Sequence, residues 1–163
     1  DIREMAVAAA GAGETSLTSA VRASSTGWFI DACPVQGPRL AELSNGRTLI
    51  TWADQSSGIY RVYVADSDDA VIWSLERVVA GGPDAEQKSP RVVVGMTGRV
   101  WLIFEGDGYY VVYSDDDAVT WTDPEPLIVP DYGPVVRGDL SARAGQVWVA
   151  GEAGDSAWVR RLE

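Results

Sequence analysis

The sequence predicts an all-β chain built from repeated four-stranded antiparallel units, and two internal matches with nearly one period predict it. In the first, Asn45-Gly46-Arg47-Thr48-Leu49-Ile50-Thr51-Trp52 superimposes on Thr97-Gly98-Arg99-Val100-Trp101-Leu102-Ile103-Phe104 and on Ala144-Gly145-Gln146-Val147-Trp148-Val149-Ala150. Each copy is a glycine turn followed by a β-rich run, which is a hairpin signal. The glycines lie 52 and 47 residues apart. In the second, Asp66-Ser67-Asp68-Asp69-Ala70-Val71-Ile72-Trp73 matches Ser114-Asp115-Asp116-Asp117-Ala118-Val119-Thr120-Trp121, 48 residues later. Periods of this length with four short strands each point to the blades of a β-propeller. Composition agrees, with seven Trp and six Tyr against two Phe. Such amphipathic rings suit pleated, half-buried surfaces.

The elements follow in order. Residues 1–36 form a degenerate blade, in which Ala6–Ala10 and Leu17–Ala23 read as its second and third strands and Trp28 opens an outer one. Residues 37–80 form a full blade with strands near Arg39–Leu43, Arg47–Trp52, Ile59–Ala65 and Trp73–Val79. Residues 81–129 form another, near Arg91–Val94, Val100–Phe104, Tyr109–Tyr113 and Trp121–Val129. Residues 130–163 form a partial blade from Leu140 through Val147–Ala150 to Ala157–Arg161. The expectation is one propeller segment of about three and a half blades. Closed rings hold roughly four to eight, so this one is incomplete, and itself or another chain is expected to complete it and cover the open strand edges.

Ser114-x-Asp116-x-Ala118-x-Thr120-Trp121 resembles the Asp-box of the BNR-repeat, sialidase-like propellers, with Ala in place of Gly. Asp66-x-Asp68-x-Ala70-x-Ile72-Trp73 is a looser copy. The resemblance implies a turn between the third and fourth strands of a blade. Asp68 and Asp116 would accept backbone hydrogen bonds there, Ser114 would support the turn, and Trp73 and Trp121 would pack between blades. A short carboxylate can satisfy turn amides that no strand partner reaches. Read as calcium loops, the same acidic tracts lack the spacing and the distal glutamate of the common motif.

Charge excludes several classes. The net charge is −11, and a field of that sign repels nucleic acid and anionic membrane surfaces. No apolar run reaches the ~20 residues that span a bilayer, so neither a nucleic-acid partner nor membrane insertion is expected. Met5–Ala12 is short, follows Asp1 and Glu4, lacks a basic n-region and does not read as a signal peptide. The single Cys33 cannot form an intrachain disulfide, and the chain has no His. No cofactor or metal motif is present, and His-based catalysis has no candidate.

The candidate ligand residues come from the repeat. Arg39 and Arg91 occupy one repeat position, each after a proline, and Arg137 stands at the same place in the third copy. In a propeller the first strand is innermost, so these arginines would face the central channel. The resemblance implies a role in holding a sugar carboxylate, which suits guanidinium forks. The competing and preferred reading is an ion pair with Asp54, Glu86 or Glu105. Loops carrying Asp54, Glu105 and Tyr132 would share the channel face. No catalytic residue is assigned. A sialidase needs a Tyr/Glu pair, an acid/base Asp and a full arginine triad, and neither that triad nor the Phe/Tyr-Arg-Ile-Pro signature is found.

The expected function is therefore a non-catalytic binding or assembly module. Carbohydrate or receptor recognition on a virion tail or a secreted surface protein fits it, with a glycan as candidate ligand and an extracellular or virion-associated location. The alternatives are a fragment of a sialidase-like glycoside hydrolase and a structural subunit of a large assembly. Fold analogy alone does not choose among them.

Overall fold

The computed structural model describes residues 2–31, 37–81, 85–129 and 133–163. These residues form strands, turns and bends, with no helix, and so no helix long and apolar enough to cross a membrane. Strands β1 (Ala6–Val7) and β2 (Val21–Arg22) make an N-terminal hairpin. Strands β3 (Arg39–Glu42), β4 (Thr48–Asp54), β5 (Arg61–Ser67) and β6 (Arg77–Val78) make a first four-stranded sheet in sequence order. Strands β7 (Lys88–Val94), β8 (Val100–Glu105), β9 (Tyr109–Ser114) and β10 (Glu125–Pro126) make a second. A short hairpin follows, β11 (Ile128–Val129) with β12 (Gly133–Pro134). Strands β13 (Arg137–Arg143), β14 (Gln146–Ala153) and β15 (Ser156–Arg161) make a three-stranded sheet. All the pairing is antiparallel.

The strand sequences account for how these sheets stack. Side chains alternate faces along a strand, yet every residue of β5 and nearly every residue of β4 is buried. Both faces of the first sheet are therefore covered. Ile50, Trp52, Tyr63 and Ala65 point one way and join Met5, Val7 and Ala23 of the N-terminal segment. Leu49, Ala53, Val62 and Val64 point the other way and join Val100, Leu102, Phe104 and Val112 of the second sheet. The opposite face of that sheet offers Trp101, Ile103, Tyr109 and Val111 to Val147 and Val149 of the third sheet. Three cores thus alternate with the sheets along the chain.

Polar contacts repeat between neighbouring sheets. At the turn between β3 and β4, Ser44 and Asn45 donate to the Asp117 carboxylate of the second sheet at 2.8 and 3.1 Å. At the equivalent turn between β7 and β8, Thr97 donates its hydroxyl to Glu163, beyond β15, at 2.6 Å. Arg77 of β6 pairs with Asp66 at 2.7 Å and reaches the Ala118 carbonyl at 3.3 Å.

Three expectations change in the structure. The outer strands are short, Arg77–Val78 and Glu125–Pro126 rather than runs from Trp73 and Trp121. After each Trp a hydroxyl takes the place of a ladder bond: Ser74 Oγ accepts from Asp66 N–H, and Thr122 Oγ1 from Tyr113 N–H, both at 3.1 Å. Pro124 and Pro126 carry no N–H, which confines that stretch to a sheet edge. Trp73 and Trp121, expected to be largely buried, are half-buried at that outer rim, although each packs against an inter-sheet core. The fully buried ring is Trp52, stacked on Tyr63 with centroids 5.7 Å apart. Finally, Trp28 opens no outer strand. Arg3 N–H donates to its carbonyl and Ile2 bridges Phe29, so it continues the line of β2.

Replacing Trp52 by Ala is expected to cost about 3–5 kcal/mol in chemical denaturation. Trp73→Ala should cost about half as much, because less of the ring leaves water on folding.

Candidate functional site

The Asp turns position the outer end of each sheet. At the second turn, Asp116 accepts from Thr120 N–H at 2.8 Å, from the Thr120 hydroxyl at 2.6 Å and from Ser114 at 2.7 Å. Ser114 Oγ in turn accepts from Ala118 N–H at 3.0 Å. The Thr120 hydroxyl, its amide and Ser114 together lower the Asp116 carboxyl to about 2. At the first turn the structure gives this position to Asp69 and not to Asp68. Asp69 accepts from Val71 and Ile72 amides at 2.8 and 2.9 Å, and those bonds hold its carboxyl below the usual range. Asp68 points outward and pairs with Arg47 at 3.0 Å. From Ser67 to Trp73 this turn is one residue shorter than from Ser114 to Trp121, so counting back from the Trp lands on the wrong Asp. Ala70 and Ala118 both adopt left-handed backbone, with φ of 57° and 65°.

The candidate binding surface lies at the other end of the sheets. A groove of about 650 Å³ opens where the second and third sheets meet. Strand β7 supplies Arg91, the end of β8 supplies Glu105, the start of β9 supplies Tyr109, β13 supplies Arg137 and Asp139, and β14 supplies Glu152. A bulge aims Arg91. Between the pairs Lys88↔Glu105 and Arg91↔Ile103 the β7–β8 register shifts at Ser89-Pro90, where Ser89 has φ of 51° and proline has no N–H to donate. Arg91 Nε then meets Asp139 at 3.3 Å. Arg137 and Glu152 stand directly opposite on β13 and β14 and pair at 3.8 Å. Ser89 donates its hydroxyl to Glu105 at 3.0 Å. Tyr109 is almost fully buried, and that burial pushes its phenol above the ordinary value, partly offset by a hydrogen bond from the Gly138 backbone. Gly138 lies against this ring, where an added Cβ would stand 3.1 Å from Tyr109.

The sequence-derived candidates therefore divide. Arg91 and Glu105 share the groove. Arg39, half-buried on the first sheet, does not line it and turns back to the Pro38 carbonyl at 3.0 Å. Asp54 is withdrawn from any ligand role by its surroundings. It is 1% exposed and accepts from Thr26 and Trp52 on one oxygen and from Ser56 N–H and Oγ on the other. It ties the N-terminal segment to the first sheet. Tyr132 lies outside the described residues. Tyr109, Asp139 and Glu152 were not foreseen. Asp139 and Glu152 carry no motif, and only the register places them beside the arginines. Among the described residues no group of three or more His, Cys, Asp or Glu is placed to hold a metal ion.

Asp69→Ala is expected to lower the melting temperature measurably, because water replaces the carboxylate that orders the Val71 and Ile72 amides in the turn. Asp68→Ala should change stability by less than about 0.5 kcal/mol, as surface ion pairs do. The Asp116 carboxyl is lowered in the folded chain, so its stabilisation is present above the ordinary value of 3.8 and is lost as pH falls toward about 2. In acid titrations followed by thermal melting, the stability gap between the wild type and Asp116→Asn should be constant above about pH 5 and close on acidification.

No protein-family model matches the chain, and no curated protein matches it. Among solved structures, it is similar to a protein of unknown function from Dyadobacter fermentans DSM 18053, with a TM-score of 0.59 and 15% identity over 76% of this chain and 49% of that one. It is also similar to a structure described as a putative glycosidase from Bacteroides thetaiotaomicron VPI-5482, with a TM-score of 0.43 and 16% identity over 75% and 44% of the two chains. The chain spans about half the length of each. The first likeness shows a shared fold. The second is too distant to bear on activity.

Proposed function

We propose that the chain is a β-propeller segment of the Asp-box type, acting as a non-catalytic binding module. Its groove between the second and third sheets takes a carbohydrate ligand. The observation that carries this reading is the convergence of Arg91, Arg137 and three carboxylates on one open groove at the shared end of two stacked sheets. Loop-end grooves with a few convergent polar groups are the common form of ligand site. Both arginines are already engaged by Asp139 and Glu152. Successive sheets that pack face to face, each with an arginine on its first strand, Arg39, Arg91 or Arg137, support the propeller reading.

The hydrolase alternative is favoured by one feature, the placement of Glu105 directly opposite Tyr109 on β8 and β9. The raised phenol weighs against it, since a nucleophile needs the reverse shift. Further blades, from the same polypeptide, a second copy or another chain, would cover the β15 edge, where Val159 is exposed. An extracellular or virion-associated setting agrees with this role.

Saturation-transfer NMR against a saccharide panel should give saturable binding that Arg91→Ala weakens at least tenfold without lowering the melting temperature. A fluorogenic sialoside should not turn over. Turnover that Arg91→Ala abolishes would establish the hydrolase instead.

A further inference from the structure

We infer that the groove between β7 and β13 selects an uncharged polyhydroxy ligand, a neutral saccharide presenting adjacent hydroxyls, and rejects carboxylated sugars. This rests on the reading of the groove as a carbohydrate site and fixes the class of sugar.

The groove's charges decide it. Glu105, Asp139 and Glu152 bring three carboxylates against the two guanidinium groups of Arg91 and Arg137. Each guanidinium has its own acid, Asp139 at 3.3 Å and Glu152 at 3.8 Å. Lys88, opposite Glu105 across β7 and β8, is held by Glu86 and lies over the Tyr60 ring, 5.2 Å from its centroid. A ligand carboxylate offers acceptors only. To reach Arg91 it must displace Asp139 and leave that acid beside an incoming negative charge, within range of Glu105. Asp139, whose side chain is 75% exposed, can turn to water, but it and Glu105 still stand as like charges against the incoming carboxylate. The net charge of −11 adds long-range repulsion.

A vicinal diol meets no such conflict. A guanidinium only donates and a carboxylate only accepts, while each hydroxyl does both. One hydroxyl can donate to Asp139 while its neighbour accepts from Arg91, and the ion pair stays in place. The Arg137–Glu152 couple offers the same complement one strand further across the sheet. Tyr109, kept protonated by burial, adds no charge. Val136 and Ala157 line the groove with apolar surface for the C–H face of a sugar ring.

Lactose and 3′-sialyllactose share a neutral core and differ by one carboxylated residue, so they separate the two cases, with maltose and cellobiose extending the neutral set. At least one neutral disaccharide should bind in the millimolar range and exceed 3′-sialyllactose at least fivefold. Its affinity should change less than about twofold between low and physiological salt. Asp139→Asn should weaken it about tenfold, and a melting curve matching the wild type would exclude misfolding. Tighter binding of 3′-sialyllactose, lost in Arg91→Ala and falling steeply with salt, would overturn the neutral-ligand inference and leave the binding groove intact. No saturable response to any of the four sugars would overturn both.

Discussion

Burial of both faces of the central sheets is the constraint on which the rest of this molecule depends. An antiparallel sheet commonly keeps one face in water and shows polar residues there. Strands β4, β5 and β8 do not. Their alternate side chains are Leu49, Val62, Val64 and Leu102 on one side and Ile50, Trp52, Ala65 and Ile103 on the other, and nearly all are out of solvent. Such a sheet is stable only between two neighbours. The N-terminal hairpin exists in this role, as a short, irregular pair of strands whose Met5, Val7 and Ala23 close the outer face of the first sheet.

Apolar stacking alone leaves the sheets free to slide, since hydrophobic contact is non-directional. The polar contacts at the rim remove that freedom. Asp117 is held by Ser44 and Asn45, Glu163 by Thr97 and by the Trp101 indole at 3.0 Å, and Asp54 by Thr26 and Trp52. In each case a carboxylate bridges two neighbouring units. These three of the 24 acidic residues are therefore structural, held by hydrogen bonds from hydroxyls, an amide side chain and indoles.

The groove follows from the same stacking. Once two sheets lie face to face, their first strands come together, and with them Arg91 on β7 and Asp139 on β13. The β-bulge at Ser89-Pro90 turns Arg91 at this place, and ion pairs engage both guanidinium groups. The groove presents donors and acceptors side by side with little net charge, and the proposed preference for hydroxyl ligands over anions rests on that arrangement.

Strand identity and repeat period were legible in the sequence because they are local properties, set by glycine turns and β-rich runs. The core strands from Arg39 to Ser67 and from Lys88 to Ser114 lie within a few residues of where pattern places them. The outer strands were not legible, because Ser74 and Thr122 replace ladder bonds by hydroxyl contacts that only the folded register reveals. The turn acid was misplaced by one residue for a similar reason. Asp68 and Asp69 are chemically alike, and only the backbone path decides which of them meets the amides of Val71 and Ile72. The same division holds at the groove. The sequence alone determined that an arginine recurs at the start of each unit, whereas the tertiary structure decided that Arg91 and Arg137 are engaged by Asp139 and Glu152 and that Asp54 is spent inside the fold. The physical reason is distance: a repeat records contacts within one sheet, while ion pairs and cores between sheets depend on residues that no spacing along the chain connects.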